Sequence, residues 1–246
     1  MAEATFHFYG NLNFFLPSPR RDRAFTHEFD WKGSIKDRVE SLGVPHPEIE
    51  ALVVNGRAVD FTYIIQSGDR IEVYGADTPP PTEPIPLRPP YPNRPAFVLD
   101  QHLGRLAAYL RMLGFDTLYR NDYHDEELAQ ISDEQTRILL TRDIGLLKRG
   151  RVVYGCYVRA TNRHRQLAEI TRRFQLQPMV APFKHCMKCN GLLESVHKAQ
   201  IDQRLPDTTA HYYDEFHRCR SCGRVYWKGP HYQRMQILMD QIIRDQ

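Results

Sequence analysis

A chain of 246 residues with 41% hydrophobic residues is long enough for roughly one to three domains and apolar enough to fold, which excludes a disordered or fibrous protein. Its net charge of +3 hides an uneven distribution, because residues 1–77 contain 8 Lys and Arg against 12 Asp and Glu, whereas residues 142–173 contain 9 against 2. The basic stretch predicts a polyanionic partner, although a solvated basic face would have the same composition.

The N-terminal residues show no basic segment followed by an apolar run, so the sequence indicates no secretory signal. No apolar run approaches the ~20 residues that a helix needs to cross a bilayer. We therefore expect a cytoplasmic protein with no membrane partner.

The first elements predicted along the chain are a hairpin and a short helix. Alternating apolar residues at 5–9 and 14–16, followed by residues 24–29 after a basic turn, predict the hairpin. Ser34 then stands where a helix N-cap is expected, and the apolar residues behind it have the spacing of one helix face: Ile35, Val39 and Leu42.

Two further signals complete this N-terminal region, an Asn55-Gly56 hairpin turn and a closing strand at residues 68–74. The order hairpin, helix, Asn-Gly turn and SGDRIEVY strand resembles the small ubiquitin-like sulfur carriers of the β-grasp fold. Residues 1–76 are therefore predicted to form a ubiquitin-like β-grasp domain. Those carriers act through a free C-terminal Gly-Gly, whereas Gly75 here continues into the chain, so we expect a scaffold or a module for a protein partner rather than a carrier.

Residues 77–95 contain nine prolines, which exclude a helix or a central strand and predict a semi-rigid extended linker. A ligand for proline-recognition domains is the alternative interpretation. The segment marks a boundary between domains.

Residues 96–182 alternate between strand and helix patterns, which predicts a compact three-layer α/β/α domain with a parallel sheet. The predicted strands occupy residues 96–99, 115–119, 137–141 and 151–158, and the predicted helices follow the first two strands or close the domain at 164–176.

Two of these strands end in an aspartate, Asp100 and Asp143. The carboxyl ends of parallel strands line the ligand crevice of such a sheet, so these carboxylates are expected to converge. Asp125 or Glu126, in the first turn of the intervening helix, could complete a site for Mg²⁺ or Mn²⁺, which prefer carboxylate oxygens. The alternatives are a helix cap for Asp125 and a turn residue for Asp143.

Four of the five cysteines form two C-x-x-C pairs, each followed by a glycine within two residues, which predicts a closed structural zinc site. The ligands are Cys186, Cys189, Cys219 and Cys222. Residues 183–246 are thus predicted to form a zinc-ribbon domain with a C-terminal helix at 232–243. Cys156 lies in an apolar run and is predicted to be a buried core thiol. Tyr226 and Trp227 could stack on bases or form the core of the ribbon.

Residues 96–233 resemble the Mut-seven C-terminal RNase domain family, a branch of the PIN-like nucleases with an appended zinc ribbon, often preceded by a ubiquitin-like domain. The resemblance rests on LD-x-x-LGRLA-x-YLR-x-LGFDT, DEEL, RILLTRD, C-x-x-CNG and C-x-x-CG-x-VYWKGPHY. It implies metal-dependent RNA cleavage, with catalytic roles for Asp100, Asp125 or Glu126, and Asp143. Many PIN nucleases place a further acid where this chain has Asn162.

The basic residues near these acids are candidate contacts for RNA phosphates. They are Arg105, Arg142, Lys148, Arg149, Arg159, Arg163 and Arg165. The sequence thus favours a metal-dependent ribonuclease acting on RNA, with a structured RNA such as tRNA as the expected substrate class. The alternative is a non-catalytic RNA-binding protein with the same fold and zinc site.

Overall fold

The computed structural model describes residues 2–30, 33–91, 94–201, 212–230, 232–234 and 236–237. Its contacts divide the chain into two compact units: the first comprises Met1–Asn93 with Asp125–Tyr157, and the second comprises Arg94–His124 with Val158–Gln246. The boundaries of the domains inferred from sequence stay a prediction. The predicted C-terminal helix at 232–243 falls mostly on residues outside the described ranges.

Among its described residues, the first unit contains seven strands and three α-helices. The strands are β1 (Ala2–Phe8), β2 (Phe25–Phe29), β3 (Ile49–Val54), β4 (Arg57–Val59), β5 (Arg70–Gly75), β8 (Ile138–Thr141) and β9 (Gly155–Tyr157). The helices are α1 (Ile35–Ser41), α3 (Asp125–Glu134) and α4 (Ile144–Leu147). The second unit contributes β6 (Phe97–Leu99), β7 (Thr117–Tyr119), β10 (Leu193–Val196), β11 (Phe216–Cys219), β12 (Val225–Trp227), α2 (Gly104–Met112) and α5 (Arg163–Arg173).

The N-terminal strands form one five-stranded sheet in the order β2-β1-β5-β3-β4. The central strand pair, β1 and β5, is parallel, while β1–β2, β3–β4 and β3–β5 are antiparallel. Apolar residues of the sheet and of α1 form its core, among them Phe6, Phe8, Ile35, Val39, Leu52 and Ile71. This arrangement is a ubiquitin-like β-grasp fold.

Local signals in the N-terminal sequence are mostly confirmed. The Ser34 hydroxyl accepts a hydrogen bond from the Asp37 backbone N–H at 3.2 Å and so caps α1. Asn55 and Gly56 both have positive φ, 51° and 78°, as a two-residue hairpin turn of this type requires. The strand expected at 14–16 is wrong, because Gly10–Phe15 forms a 3-10 helix.

The end of the β-grasp sheet is held in place by side chains. The Asp77 carboxylate accepts hydrogen bonds from the Asn11 backbone N–H at 2.9 and 3.1 Å. A Cβ atom added at Gly75 would lie 2.4 Å from Asn11 Oδ1. The region that is a free tail in sulfur carriers is therefore packed against the domain here.

The C-terminal part of the first unit contains a parallel pair of strands, β8 and β9, in which Leu140 lies opposite Cys156 and Thr141 opposite Tyr157. The Cys156 side chain is buried, as predicted for a core thiol. The strand β9 is shorter than the predicted 151–158, because hydrogen-bonded turns occupy residues 149–153. Helix α4 connects β8 to these turns and begins directly after Asp143.

The second unit contains the other parallel pair, β6 and β7. The Phe97 ring of β6 packs edge-on against Phe115 and Phe174, with ring centroids 6.0 Å apart in each case. Helices α2 and α5 pack against each other in this unit. The mixed α/β class with parallel strands is thus confirmed.

The C-terminal strands form an antiparallel sheet in the order β10-β11-β12. Val196, Ile201 and Phe216 form its small core, and Trp227 packs against that core. Within the ranges described above, no helix is both long enough and apolar enough to cross a membrane.

Candidate functional site

The four cysteines of the two C-x-x-C turns come together in the second unit. Their sulfur atoms all lie within 4.8 Å of one another, with Cys186 to Cys222 at 3.6 Å and Cys189 to Cys219 at 3.5 Å. A tetrahedral zinc ion with Zn–S bonds of about 2.3 Å would separate its sulfur ligands by about 3.8 Å. The four cysteines can therefore hold a metal ion such as zinc.

The backbone of both turns is shaped to point sulfur atoms inward. In the first turn, Asn190 takes positive φ, 66°, and its N–H donates to the Cys186 carbonyl at 2.9 Å. In the second, Gly223 has φ 71° and its N–H donates to the Cys219 carbonyl at 2.9 Å. A Cβ atom at Gly191 would lie 2.4 Å from Ser221 Oγ, so only glycine lets the two turns approach this closely.

Hydrogen bonds around Cys186 favour its thiolate form, the form that binds metal. Burial alone raises the pKa of this thiol, but the Tyr226 hydroxyl, 3.1 Å from its sulfur, and the backbone N–H groups of Cys189 and Lys188 lower that pKa to about 7. Burial raises the pKa of Cys189. The role of Tyr226 was missed at the sequence level, because no spacing rule links it to Cys186.

A buried arginine joins the first C-x-x-C turn to helix α2. The Arg111 side chain, 4% exposed, donates to the carbonyl oxygens of Thr117 at 2.8 Å, Met187 at 3.2 Å and Lys188 at 3.1 Å. Burial lowers the pKa of its guanidinium, and the nearby sulfurs of Cys186 and Cys189 oppose that shift. Arg111 therefore stabilises the turn that carries two of the cysteines.

In the first unit, Asp143 stands between β8 and α4. Its Oδ1 accepts the backbone N–H groups of Gly145 at 2.6 Å and Leu146 at 3.1 Å, and its own N–H donates to Thr141 Oγ1 at 3.0 Å. The carboxylate is thus the N-cap of α4 and is also exposed to solvent. An exposed carboxylate with one oxygen held by amides is well placed to present negative charge to a cation.

The other two predicted acids of this unit, Asp125 and Glu126, are exposed and begin helix α3. Arg149 reaches both, with its guanidinium 2.5 Å from Glu126 Oε2 and 3.8 Å from Asp125 Oδ2. Arg149, predicted to contact RNA, is therefore in an ion pair with candidate metal ligands in this structure.

In the second unit, Asp100 is 9% exposed and follows β6 directly. Its Oδ1 accepts the Gln101 backbone N–H at 2.6 Å and caps a short 3-10 turn. Burial, followed by the negative charge of Asp100, raises the pKa of the nearby Tyr119 hydroxyl. Tyr119 donates to the Gln101 carbonyl oxygen at 2.8 Å, which holds its ring beside this turn.

A cleft of about 750 Å³ opens beside this turn, between the start of α2 and the start of α5. Its walls carry basic, amide, hydroxyl and imidazole groups and no acidic side chain. The residues are Gln101, His102, Gly104, Arg105, Tyr119, Thr161, Asn162, Arg163, His164 and Gln166. Such a lining suits an anionic ligand, because it offers hydrogen-bond donors and positive charge together.

Asn162 caps helix α5, a role that its residue type favours. Its Oδ1 accepts the backbone N–H groups of His164 at 2.9 Å and Arg165 at 3.3 Å, so it caps helix α5. Asparagine is among the preferred N-cap residues, and this signal was available in the sequence. Asn162 is thus used in this structure to begin a helix.

The other basic residues predicted to contact RNA differ in the groups that surround them. Lys148 donates to the Glu40 backbone carbonyl at 2.5 Å, and the Arg142 guanidinium lies 6.0 Å from the centre of the Tyr157 ring. Arg159 lies 3.7 Å from Glu169, whereas Arg165 is exposed. Of the predicted set, Arg105 and Arg163 line the cleft.

The cysteines are the one group in the described part of the chain in which three or more His, Cys, Asp or Glu side chains lie close enough to share an ion.

In comparisons with protein families, the Mut7-C RNAse domain matches residues 95–239 and the Mut7-C ubiquitin domain matches residues 1–79. No curated protein and no solved structure matches this chain.

Proposed function

Because the chain belongs to the Mut7-C RNAse domain family, we propose that it is a metal-dependent ribonuclease that hydrolyses RNA phosphodiesters and carries one structural zinc ion. The observation that supports this most strongly is the basic cleft of the second unit, which adjoins the turn capped by Asp100. A phosphodiester backbone is the anionic ligand that fits both the family and the lining of the cleft.

The proposed catalytic carboxylates are Asp100, Asp125, Glu126 and Asp143. Their oxygens are ligands that Mg²⁺ and Mn²⁺ prefer. Such an ion, when bound, supplies positive charge to the scissile phosphate and polarises the attacking water. Arg105 and Arg163, which line the cleft of the second unit, are proposed to bind RNA phosphates.

The length of the basic stretch at 142–173 favours a polymeric substrate over a mononucleotide. We propose structured RNA, with tRNA as one member of that class. The β-grasp domain, which matches the Mut7-C ubiquitin family, is proposed to act as a module that contacts protein.

The second candidate is a non-catalytic RNA-binding protein. Two observations favour it: the ion pairs of Arg149 with Asp125 and Glu126, and the use of Asn162 as a helix cap. Both candidates predict RNA binding, so only a cleavage assay separates them.

The deciding experiment compares purified wild-type protein with Asp143→Asn on labelled single-stranded and structured RNA in Mn²⁺. Asparagine is as good an N-cap as aspartate, so this change removes the charge while it preserves the start of α4. Asp133→Asn, an exposed acid of α3, is the matched control.

We expect a loss of cleavage of at least about 100-fold for Asp143→Asn, since a carboxylate that binds a catalytic ion has no substitute in an amide. RNA affinity should change little, and Asp133→Asn should cleave like wild type. The second candidate would be favoured if the wild-type protein bound RNA without cleaving it. It would also be favoured if Asp143→Asn did not abolish the cleavage observed.

A further inference from the structure

A turn of the β-grasp domain between helix α1 and strand β3 is buried. His46–Glu48 forms a single 3-10 turn, and His46 and Glu48 are only 5% and 1% exposed. Burying charged groups costs free energy unless they are paired. The hydrogen-bond partners of these two side chains identify the segments that the turn contacts.

Glu48 reaches the second segment of the first unit. Its Oε1 accepts the backbone N–H of Tyr157 at 2.5 Å, across 109 positions of sequence. Tyr157 is the last residue of β9 and lies opposite Thr141 of β8. Thr141 Oγ1 in turn accepts the backbone N–H of Asp143 at 3.0 Å. A continuous series of contacts therefore runs from Glu48 through β9 and the end of β8 to Asp143.

His46 contacts oxygen atoms with both ring nitrogens. Nδ1 lies 2.6 Å from Glu40 Oε1, and Nε2 lies 2.8 Å from the Val152 carbonyl oxygen. Each ring nitrogen therefore has an oxygen partner, and the two contacts attach the turn to helix α1 and to the loop before β9. Lys148, directly after α4, donates to the Glu40 carbonyl and adds a second bond to the same helix end.

Apolar contacts reinforce this polar set. The Phe14 and Phe15 rings pack against the Tyr157 ring at centroid distances of 5.3 and 5.7 Å. A Cβ atom at Gly155 would lie 3.3 Å from Pro47 Cβ, so β9 passes very close to the turn. The contacts thus cover both the loop after α4 and the strand β9.

We infer that Glu48 and His46 of the β-grasp domain are positioning residues for the Asp143 strand end, so that the ubiquitin-like domain acts on residues 142–157 of its own chain. This role deepens the proposed function and rests on it for its catalytic consequence. The His46–Glu48 face of the domain thus has an intramolecular partner in residues 152–157.

The test uses the full-length protein with Glu48→Leu and Glu48→Gln. Glutamine keeps an oxygen that can accept the Tyr157 N–H, whereas leucine of similar size offers none. We expect NMR-detected hydrogen exchange at the amides of Tyr157, Gly145 and Leu146 to become at least about tenfold faster in Glu48→Leu and to change less than about threefold in Glu48→Gln. Cleavage should show a lower kcat in Glu48→Leu, rescue in Glu48→Gln, and unchanged RNA affinity in both.

Phe14→Ala tests the same inference in a variant that should fold, because the Phe14 side chain is already 45% exposed. Ile64→Ala, at a side chain 44% exposed elsewhere on the domain, is its control. We expect faster exchange at Tyr157 for Phe14→Ala and no change for Ile64→Ala.

The inference would be overturned if the amide-exchange rates of Glu48→Leu and Glu48→Gln were equal. It would also be overturned if the Tyr157 amide of Glu48→Leu exchanged at the wild-type rate. The exchange readout needs no RNA. An inactive wild type with the expected exchange pattern would reject the nuclease function while it supports positioning, and an active Glu48→Leu with normal kcat would reject the catalytic consequence of positioning.

Discussion

The side chain of Asn190, which follows the first C-x-x-C turn, is hydrogen-bonded to the backbone of Thr117: its Oδ1 accepts the Thr117 N–H at 2.9 Å. The Asn190 Nδ2 also donates to Asp116 Oδ1 at 2.6 Å. The cysteine-bearing turn is therefore attached to strand β7 through one amide side chain, at a residue whose φ of 66° already favours asparagine.

Asn190→Ala should lower the free energy of unfolding by about 2 kcal/mol, because it removes two hydrogen bonds and puts alanine in a left-handed conformation. Asn190→Gly restores the backbone freedom without the bonds, so it should recover about half of the loss. Urea denaturation of wild type, Asn190→Ala and Asn190→Gly measures the loss of unfolding free energy and its partial recovery. Equal stability of Asn190→Ala and wild type would show that this attachment contributes nothing.

Elemental analysis should find about one zinc per chain, since four sulfur ligands complete a tetrahedral site. Cys219→Ser should reduce zinc content, and chelation should destabilise the β10–β12 sheet, whose own core is small. Cys156→Ala is the control, because its sulfur lies outside the cluster, and it should keep full zinc content. A wild-type protein that is folded and metal-free would refute the assignment.

Helix α2 carries two arginines with different expected roles. Arg111→Met should destabilise the protein by about 2–4 kcal/mol, because three carbonyl oxygens lose a buried donor. Arg105 is exposed at the cleft, so Arg105→Met should change stability by less than about 0.5 kcal/mol. Thermal or urea unfolding distinguishes the two variants, and a similar loss in both would contradict the assignment of Arg105 to the cleft surface.

RNA affinity should depend on the cleft residues rather than on Lys148. Arg105→Met and Arg163→Met should each weaken binding and reduce the slope of log affinity against log salt by about one, as expected for a lost phosphate contact. Lys148→Met should leave that slope unchanged, because the Lys148 ammonium group donates to the Glu40 backbone carbonyl oxygen. Fluorescence anisotropy over a series of salt concentrations gives the slopes. A reduced slope for Lys148→Met would return this residue to the RNA contacts that its charge predicts.

Patterns confined to a few neighbouring residues were sufficient for much of the fold. Ser34 before an amphipathic stretch predicted a capped helix, Asn55-Gly56 predicted a hairpin, and paired C-x-x-C turns predicted a cluster of four sulfurs. Each depends on backbone geometry or ligand spacing within a short segment, which residue type largely sets. Asn162 belongs to this class as well, since a cap before α5 could have been read from the sequence.

The amino-acid sequence by itself determined most of the strands and helices and the residue types available for metal and RNA. Only the tertiary structure decided which of those groups are already engaged: Lys148 with Glu40, Arg149 with Glu126, Arg111 with the first cysteine turn, and Glu48 with Tyr157. These contacts join residues 23 to 109 positions apart, so no local pattern encodes them. They form because burial of a polar group is tolerated only where folding supplies a partner.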